Sequence, residues 1–216
     1  MFIGHHAVGF AAKRYAPRTS LGTLFIAATL LDLLWPICLL LGIEHVRVVP
    51  NRLTPFLSFE FDYPWTHSLL MSLVWSVAFA LLYWIVARYA AGAIAVGIAV
   101  FSHWVLDWIT HLPDLPLWPG GPKVGLGLWK STGGTLAAEL LLFAIGIFLY
   151  VRTTRPRRRR GTVLLAALVV FLLLGYFAAL ASQPPPDQKA IGWGGLVGWL
   201  LVLLPWWVDR NREPRA

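Results

Sequence analysis

The stretch AGAIAVGIAVFSHWVLDWITH, residues 91–111, combines an apolar run long enough to cross a membrane with three ionisable side chains. His103, Asp107 and His111 recur at four-residue steps. On an α-helix each step of four advances a side chain by about 6 Å along the axis and turns it by about 40°, so the three share one face. Because ionisable groups are costly to bury in a membrane span, this face is a candidate functional site.

The composition of the whole chain indicates an integral membrane protein. Of its 216 residues, 58% are hydrophobic and only 13% are charged, whereas soluble domains carry roughly 25% charged residues. The single cysteine, Cys38, excludes an intrachain disulfide and a metal site built from cysteines.

Six apolar segments approach the length of about 20 helical residues that crosses a hydrocarbon core of about 30 Å. Because the runs are continuous rather than alternating, they favour helices over a β-barrel. The expected fold is an all-α integral membrane protein, a bundle of six transmembrane helices. Residues 2–12 are too few to span and are expected to form an interfacial or partly inserted N-terminal helix. The predicted spans are residues 21–41, 67–86, 91–111, 135–150, 162–181 and 192–208.

The chain shows no internal repeat and no separate soluble domain. Residues 1–134, with the N-terminal helix, three spans and two loops, form the predicted metal-site region. Residues 135–216 carry three further spans that complete the same bundle. The two loops, residues 44–66 and 112–134, are rich in proline, glycine and aromatic residues and are expected to roof a site.

The distribution of lysine and arginine predicts the orientation in the membrane, since cytoplasmic loops carry the excess. With the N-terminus inside, 13 of the 18 basic residues are cytoplasmic, and the other side receives Arg47, Arg52, Lys123, Lys130 and Lys189. We therefore expect a multi-pass protein of the bacterial cytoplasmic (inner) membrane with both termini in the cytoplasm.

A cluster of six arginines lies between the fourth and fifth spans and accounts for much of the net charge of +8. Next to a span, such a cluster is expected to attract anionic lipid headgroups rather than nucleic acid. Its members are Arg152, Arg155, Arg157, Arg158, Arg159 and Arg160.

Two more residues can meet the His–Asp face. Asp32 lies in the first span, four residues before Pro36, whose missing N–H leaves the Asp32 carbonyl without its helical partner. His67 follows Pro64 in the predicted opening turn of the second span, where Thr66 can orient the imidazole. Imidazole and carboxylate ligands suit a divalent metal, by preference zinc, with manganese, iron or nickel as alternatives.

Glu139 lies about one turn into the fourth span. Either Asp32 or Glu139 is expected to serve as the catalytic base, because burial in a bilayer raises the pKa of a carboxyl group towards the range useful for proton transfer. Glu139 is equally interpretable as a structural partner for Lys130 or for a histidine. Glu44 and His45 in the first loop are weaker candidates, with a surface position expected for His45.

A purely structural interpretation also remains open for the opening motif. His103 and Asp107 can bond to each other and only stabilise helix packing. His111 and Asp114, near the membrane boundary, are assigned to the rim of the site, and His6 is expected at the surface.

Four sequence blocks together resemble the YdjM-like family of membrane-bound metal-dependent hydrolases. They are GHHAVGF (4–10), LLDLLWP (30–36), PWTHSLL (64–70) and SHWVLDWITHLPDLPLWP (102–119), so the resemblance covers about residues 1–119. It implies a metal site made of an early histidine, an acidic residue of the first span, the histidine before Ser-Leu-Leu and the His–Asp pair. These correspond here to His5, Asp32, His67, His103 and Asp107. For His5 to reach the others, the N-terminal helix must insert into the bundle.

The leading functional hypothesis is a membrane hydrolase whose metal lowers the pKa of a bound water. Its expected substrate is lipid-linked, or a phosphodiester or ester, near the outer leaflet. A divalent-metal or proton transporter with an intramembrane His/Asp site is the first alternative. A noncatalytic membrane scaffold is the second.

Overall fold

The computed structural model of the protein describes residues 1–49 and 55–215, and in this part of the chain six helical segments are long and apolar enough to cross a membrane. The prediction of an all-α membrane bundle is confirmed. The sixth segment, Gln188–Arg210, is divided into three short helices. In chain order the helices are α1 (Ile3–Ala12), α2 (Leu21–Leu40), α3 (Leu69–Ala87), α4 (Ala90–Thr110), α5 (Thr132–Thr153), α6 (Arg159–Ala181), α7 (Gln188–Leu196), α8 (Gly198–Leu201) and α9 (Leu203–Arg210).

Serine side chains set the start of three of these helices. Ser20, Ser68 and Ser131 each accept a hydrogen bond from the backbone N–H three residues later, at 3.1 to 3.3 Å, which satisfies a donor that the helix itself leaves unpaired. The cap at Ser68 corrects one prediction, because α3 begins after His67 rather than including it, and Pro64 lies in the preceding turn.

The N-terminal helix α1 is inserted into the bundle, which selects between the two positions expected for it. It packs against α2, α4 and α5. Ile3 and Phe10 are fully buried and belong to one apolar core with Phe25 of α2 and Phe143 of α5. Gly146 permits the close approach of α5, since a Cβ there would lie 2.5 Å from the carbonyl oxygen of Ala7.

Helix α2 is central, and its other side packs against α4. Leu24, Leu31, Val96 and Val100 are fully buried in this second core. Pro36 lies inside α2, so the carbonyl of Asp32 lacks its usual intrahelical N–H partner.

Two short antiparallel hairpins cover one end of the bundle, which we call the loop end. The strands are β1 (His45–Val48) with β2 (Phe59–Asp62), and β3 (Leu115–Pro116) with β4 (Lys123–Val124). Arg52, which entered the predicted charge distribution, lies outside the described residues.

At the opposite end of the bundle, the C-terminal strand returns to the connection between α5 and α6. There β5 (Thr154–Pro156) pairs antiparallel with β6 (Arg212–Pro214), with α6 to α9 between them in the chain. Beside it, Lys13 Nζ lies 2.8 Å from Asp209 Oδ2, and Asp209 Oδ1 accepts from the hydroxyl of Tyr150 at 3.2 Å. A buried ion pair therefore connects α1 to α9.

Candidate metal site

Five side chains that the sequence nominated as ligands converge in the half of the bundle nearer the loop end. His5 comes from α1, Asp32 from α2, His67 from the turn before α3, and His103 and Asp107 from α4. We call these five residues the His–Asp cluster. Four of them are buried, whereas 46% of the Asp32 side chain is exposed.

The distances within the cluster are those of groups that can share a cation. His103 Nε2 lies 3.1 Å from Asp107 Oδ2 and 3.6 Å from Asp32 Oδ1. His67 Nε2 lies 3.5 Å from the same Asp32 oxygen and 3.9 Å from Asp107 Oδ2. Two ligand groups result, Asp32 with His67 and His103, and His5 with His103 and Asp107, so both include His103.

A backbone contact fixes the tautomer of His103. Its Nδ1 lies 2.9 Å from the carbonyl oxygen of Ala28. Because a carbonyl can only accept, Nδ1 carries the proton and the Nε2 of the neutral ring carries a lone pair. That Nε2 is buried and has no hydrogen-bond partner among the described residues.

A chain of hydrogen bonds fixes the tautomer of His67. The Thr66 hydroxyl lies 2.7 Å from Glu44 Oε2 and 2.7 Å from His67 Nδ1. The single hydroxyl proton goes to the carboxylate, so the hydroxyl oxygen accepts from His67 Nδ1–H. The lone pair of neutral His67 is therefore on Nε2, the atom that faces Asp32 and Asp107.

His111 extends this pattern towards the loop end. Its Nδ1 and the hydroxyl of Tyr63 both contact Asp114 Oδ1, at 3.1 and 3.0 Å. Burial, together with the neighbouring Asp114 carboxylate, raises the pKa of Tyr63 well above its usual value, so this hydroxyl stays a donor. Burial also lowers the pKa of His111. Its Nε2 lies 3.9 Å from Asp107 Oδ1, so His111 faces the cluster, while Asp114 lies nearer the rim.

The cluster borders a cavity of about 210 Å³, here called the site cavity. Asp32, His67 and Asp107 line one side. The other side is aromatic and includes Phe61 of β2 and Trp129, whose ring lies 3.8 Å from that of His111. The aromatic loop residues thus roof the site, as the sequence predicted.

The sequence profile of the YdjM inner membrane protein family matches residues 1–184. The chain belongs to this family. The match extends beyond the resemblance seen in residues 1–119 and includes α5 and α6. Together with the six candidate spans, the family match identifies the chain as a multi-pass inner membrane protein. No curated protein and no solved structure matches the chain.

The early histidine of the family pattern reaches the cluster because α1 is inserted. His5 Nε2 lies 3.1 Å from Asp107 Oδ1, and its ring stacks on that of His103 with centroids 3.7 Å apart. The α-amino group of Met1 donates to the same Asp107 oxygen at 2.5 Å. By contrast, His6 contacts the Phe2 carbonyl and packs against Phe25.

Glu139, nominated as a catalytic base, lies at the start of α1. Its Oε1 accepts from the backbone N–H of Phe2 and its Oε2 from that of Gly4, both at 2.8 Å. These N–H groups lie in the first turn of the helix, where no intrahelical acceptor exists and a carboxylate is favoured by the helix dipole. The structural partner of Glu139 is therefore a helix terminus, rather than Lys130 or a histidine.

Glu44 is only a weak candidate by sequence, and the sequence does not predict its contact with Thr66. It is fully buried, and its carboxylate accepts from the N–H groups of Trp65 and Thr66 and from the Thr66 hydroxyl. An acidic residue directly after a span is by itself a weak indication of a functional site. The neighbouring residues Thr66 and His67 are a stronger indication, but the sequence does not show that Thr66 contacts Glu44, which is 22 positions away in the chain.

The chemistry of the cluster fits a divalent cation. The His67 and His103 Nε2 atoms carry lone pairs, and the carboxylates of Asp32 and Asp107 can only accept. With both histidines neutral, these acceptors face one another and repel unless a cation lies between them. His103 Nε2, 3.1 Å from Asp107 Oδ2, makes no hydrogen bond of good geometry among the described residues, and such a buried atom costs free energy. Nitrogen and oxygen donors of this kind suit zinc, manganese, iron or nickel.

Proposed function

We propose that the protein is a membrane-embedded metal-dependent hydrolase. In this proposal His67, His103 and Asp107 hold a divalent metal, zinc by preference, with Asp32 and His5 as additional ligands. One observation carries the proposal: each of the two Nε2 atoms with an assigned lone pair lies within 4 Å of the carboxylate oxygens of Asp32 and Asp107.

A divalent cation supplies Lewis acidity, lowering the pKa of water and polarising a carbonyl or phosphoryl oxygen. The chain supplies the orientation. Ala28 holds the His103 ring and Thr66 holds the His67 ring, so that neither needs to rotate or change tautomer to bind. The site thereby avoids part of the cost of ordering its ligands.

Asp32 is the proposed proton acceptor. It is the member of the cluster with an exposed carboxylate, and it lines the site cavity. Glu139 is left out of the proposed catalytic machinery, because both of its oxygens accept backbone hydrogen bonds. Asp32 can therefore contact a substrate in the site cavity without disrupting a helix terminus.

The proposed substrate is an ester or phosphodiester, including a lipid-linked one, that reacts close to the headgroup depth of the outer leaflet. Supporting this, the site cavity lies in the half of the bundle nearer the loop end, where Phe61 and Trp129 cover it. We further propose, from the charge distribution, that both termini are cytoplasmic, so that the loop end faces outward.

The arginine cluster is proposed to contact anionic headgroups at the opposite membrane surface. Arg157, Arg158, Arg159 and Arg160 have exposed side chains at the start of α6. Arg155 is also exposed and pairs with Glu213 of β6. Arg152 lies at the end of α5, over the ring of Phe148. The charge is thus presented at one end of the bundle.

Metal content of the purified protein tests the metal site. After supplementation with zinc and dialysis, we expect about one retained metal ion per chain, measured by elemental mass spectrometry, for a site of this ligand number. His67→Ala and His103→Ala should lose most of it. His45→Ala, at an exposed residue of strand β1, is the matched control and should retain it. A metal-free wild type, or a double variant with full metal content, would contradict the assignment.

Hydrolysis of bis(p-nitrophenyl) phosphate and of a p-nitrophenyl acyl ester by the metal-loaded protein tests the activity. We expect turnover of at least one of them that disappears in His103→Ala. Metal flux into proteoliposomes without hydrolysis would instead support the transport alternative.

A further inference from the structure

A second cavity, of about 330 Å³, lies between α2, α6 and the α7–α8 connection. We call it the α2–α6 groove. Its walls are mostly apolar and include Phe25 and Leu33 of α2, Leu168 and Leu172 of α6, and Val197. It lies at the depth of the membrane interior, since Leu168 and Leu172 occupy the middle of the 23-residue helix α6.

The groove reaches the His–Asp cluster directly. Asp32, Phe2 and Trp35 line both the groove and the site cavity. The exposed 46% of the Asp32 side chain therefore faces these two cavities rather than a loop surface. A ligand lying in the groove would end beside the carboxylate that contacts His67 and His103.

Glycines on α7 and α8 leave room on one wall of the groove. Gly194 and Gly198 line it. Among the described residues, no atom lies within 4 Å of a Cβ built on Gly194, and the nearest to one on Gly198 is Leu33 Cδ2 at 3.6 Å. Side chains added at these two positions meet little of the described protein, and they narrow the groove that both glycines line.

We propose that the α2–α6 groove binds one hydrocarbon chain of a membrane lipid and places the polar end of that lipid at Asp32. The medium beside an apolar opening at this depth is hydrocarbon, because water is excluded from the bilayer core. A lipid chain therefore fills the groove without a cost for removing water. Because the groove is continuous with the site cavity, the polar headgroup of that lipid can lie in the site cavity beside Asp32. If the protein is the proposed hydrolase, this lipid is its substrate, so that part of the inference rests on the proposed function.

Photo-crosslinking tests the groove. The probe is phosphatidylglycerol with a diazirine midway along one acyl chain, incorporated into proteoliposomes of the full chain, with adducts mapped by peptide mass spectrometry. We expect adducts on Leu168 and Leu172 at a yield about threefold or more above that on Leu141 and Ile145, which are exposed on α5 and line neither the groove nor the site cavity. Equal yields on the groove and on α5 would overturn the proposal.

Two glycine variants make the comparison specific. Gly194→Leu should lower the groove adducts about fivefold or more. Gly175→Leu, on an exposed position of α6 that also has no described atom within 4 Å of a built Cβ, should leave them unchanged. If Gly194→Leu fails to fold, Gly198→Leu replaces it. Groove adducts that persist in a folded filled variant would overturn the proposal.

A thiol-accessibility measurement separates a lipid-filled groove from a water-filled one. Phe171→Cys in a Cys38→Ser background places a single thiol in the groove. A charged, water-soluble methanethiosulfonate should label it at least about tenfold more slowly than the thiol of Tyr15→Cys in the same background, since Tyr15 is 72% exposed. Equally rapid labelling would overturn the proposal.

Metal content measured on the same samples keeps the two proposals apart. Groove adducts on a protein that binds no metal would support the groove and contradict the hydrolase. Bound metal without groove adducts would support the metal site and contradict the lipid groove. If both proposals hold, Gly194→Leu should lose hydrolysis of a long-chain ester and keep that of a short p-nitrophenyl ester.

Discussion

Glu44 and Thr66 form a buried contact in which both the backbone N–H and the hydroxyl of Thr66 donate to one carboxylate, at 2.8 and 2.7 Å. Because the hydroxyl proton is used there, the oxygen of Thr66 must accept from His67 Nδ1–H. Glu44 therefore determines which nitrogen of His67 faces the cluster, although the carboxylate itself makes no contact with Asp32 or Asp107 in the described network.

Glu44→Gln should weaken metal binding while leaving every ligand in place. The substituted amide keeps one accepting oxygen but presents N–H donors where the carboxylate only accepts, so at least one hydrogen bond of the Thr66 network is lost. Changes to groups that orient a metal-bound histidine cost about 10- to 100-fold in metal affinity. Competition with a zinc chelator measures the effect.

The control for Glu44→Gln is Glu60→Gln, at an exposed carboxylate that pairs with Arg47. We expect unchanged zinc affinity for this variant. Zinc affinity equal to wild type in Glu44→Gln would show that the hydrogen-bond chain does not govern the site.

Thr66→Val and Thr66→Ser should behave differently. Valine has nearly the same shape as threonine but cannot bridge Glu44 to His67, so both partners lose a buried hydrogen bond. Serine keeps the hydroxyl. We expect zinc affinity about 10- to 100-fold lower for Thr66→Val, and near the wild-type value for Thr66→Ser. Equal losses in the two variants would assign the effect to packing.

Glu139→Ala should destabilise the protein rather than remove a chemical step. It leaves the N–H groups of Phe2 and Gly4 without their acceptor, and an unsatisfied buried donor costs about 1–3 kcal/mol. We expect a lower midpoint of thermal unfolding in detergent, measured on metal-free protein so that metal binding does not contribute. Unchanged stability with loss of hydrolysis would instead restore Glu139 as the catalytic base.

The sequence predicted the parts of the structure that follow from local periodicity. Continuous apolar runs located the spans, because in a bilayer only a helix or closed barrel satisfies the backbone. The four-residue spacing of His103 and Asp107 placed both on one face of α4. Pro36 drew attention to Asp32, whose carbonyl it leaves without a helical partner. The family pattern then grouped Asp32 and His67 as ligands of one metal site.

The remaining features depend on contacts distant in sequence. The depth of His5 is set by the insertion of α1, which Glu139 caps from α5. Glu44 reaches Thr66 only because the β1–β2 hairpin folds the first loop back. Neither residue lies in a periodic pattern that links it to its partner. The sixth span is divided near Gly194, Gly195 and Gly198, because glycines lower the helix propensity of this segment.

The ion pair of Lys13 and Asp209 should contribute far more to stability than the surface pairs. Lys13 is 3% exposed, and its Nζ also donates to the Thr19 carbonyl. Lys13→Met removes the cation and leaves the largely buried Asp209 carboxylate, 15% exposed, without it. Breaking a buried pair in this way costs about 3–5 kcal/mol. Unfolding of the metal-free protein in mixed micelles measures the loss.

Arg47→Met is the matched control for Lys13→Met, because Arg47 pairs with Glu60 while 76% of its side chain is exposed. An exposed pair contributes about 0–1 kcal/mol, so this variant should unfold close to wild type. The same argument predicts that Lys13→Met with Asp209→Leu recovers part of the lost stability, since no unpaired charge then remains. A double variant less stable than Lys13→Met would show that Asp209 stabilises the bundle mainly through Tyr150 and the backbone N–H of Leu21.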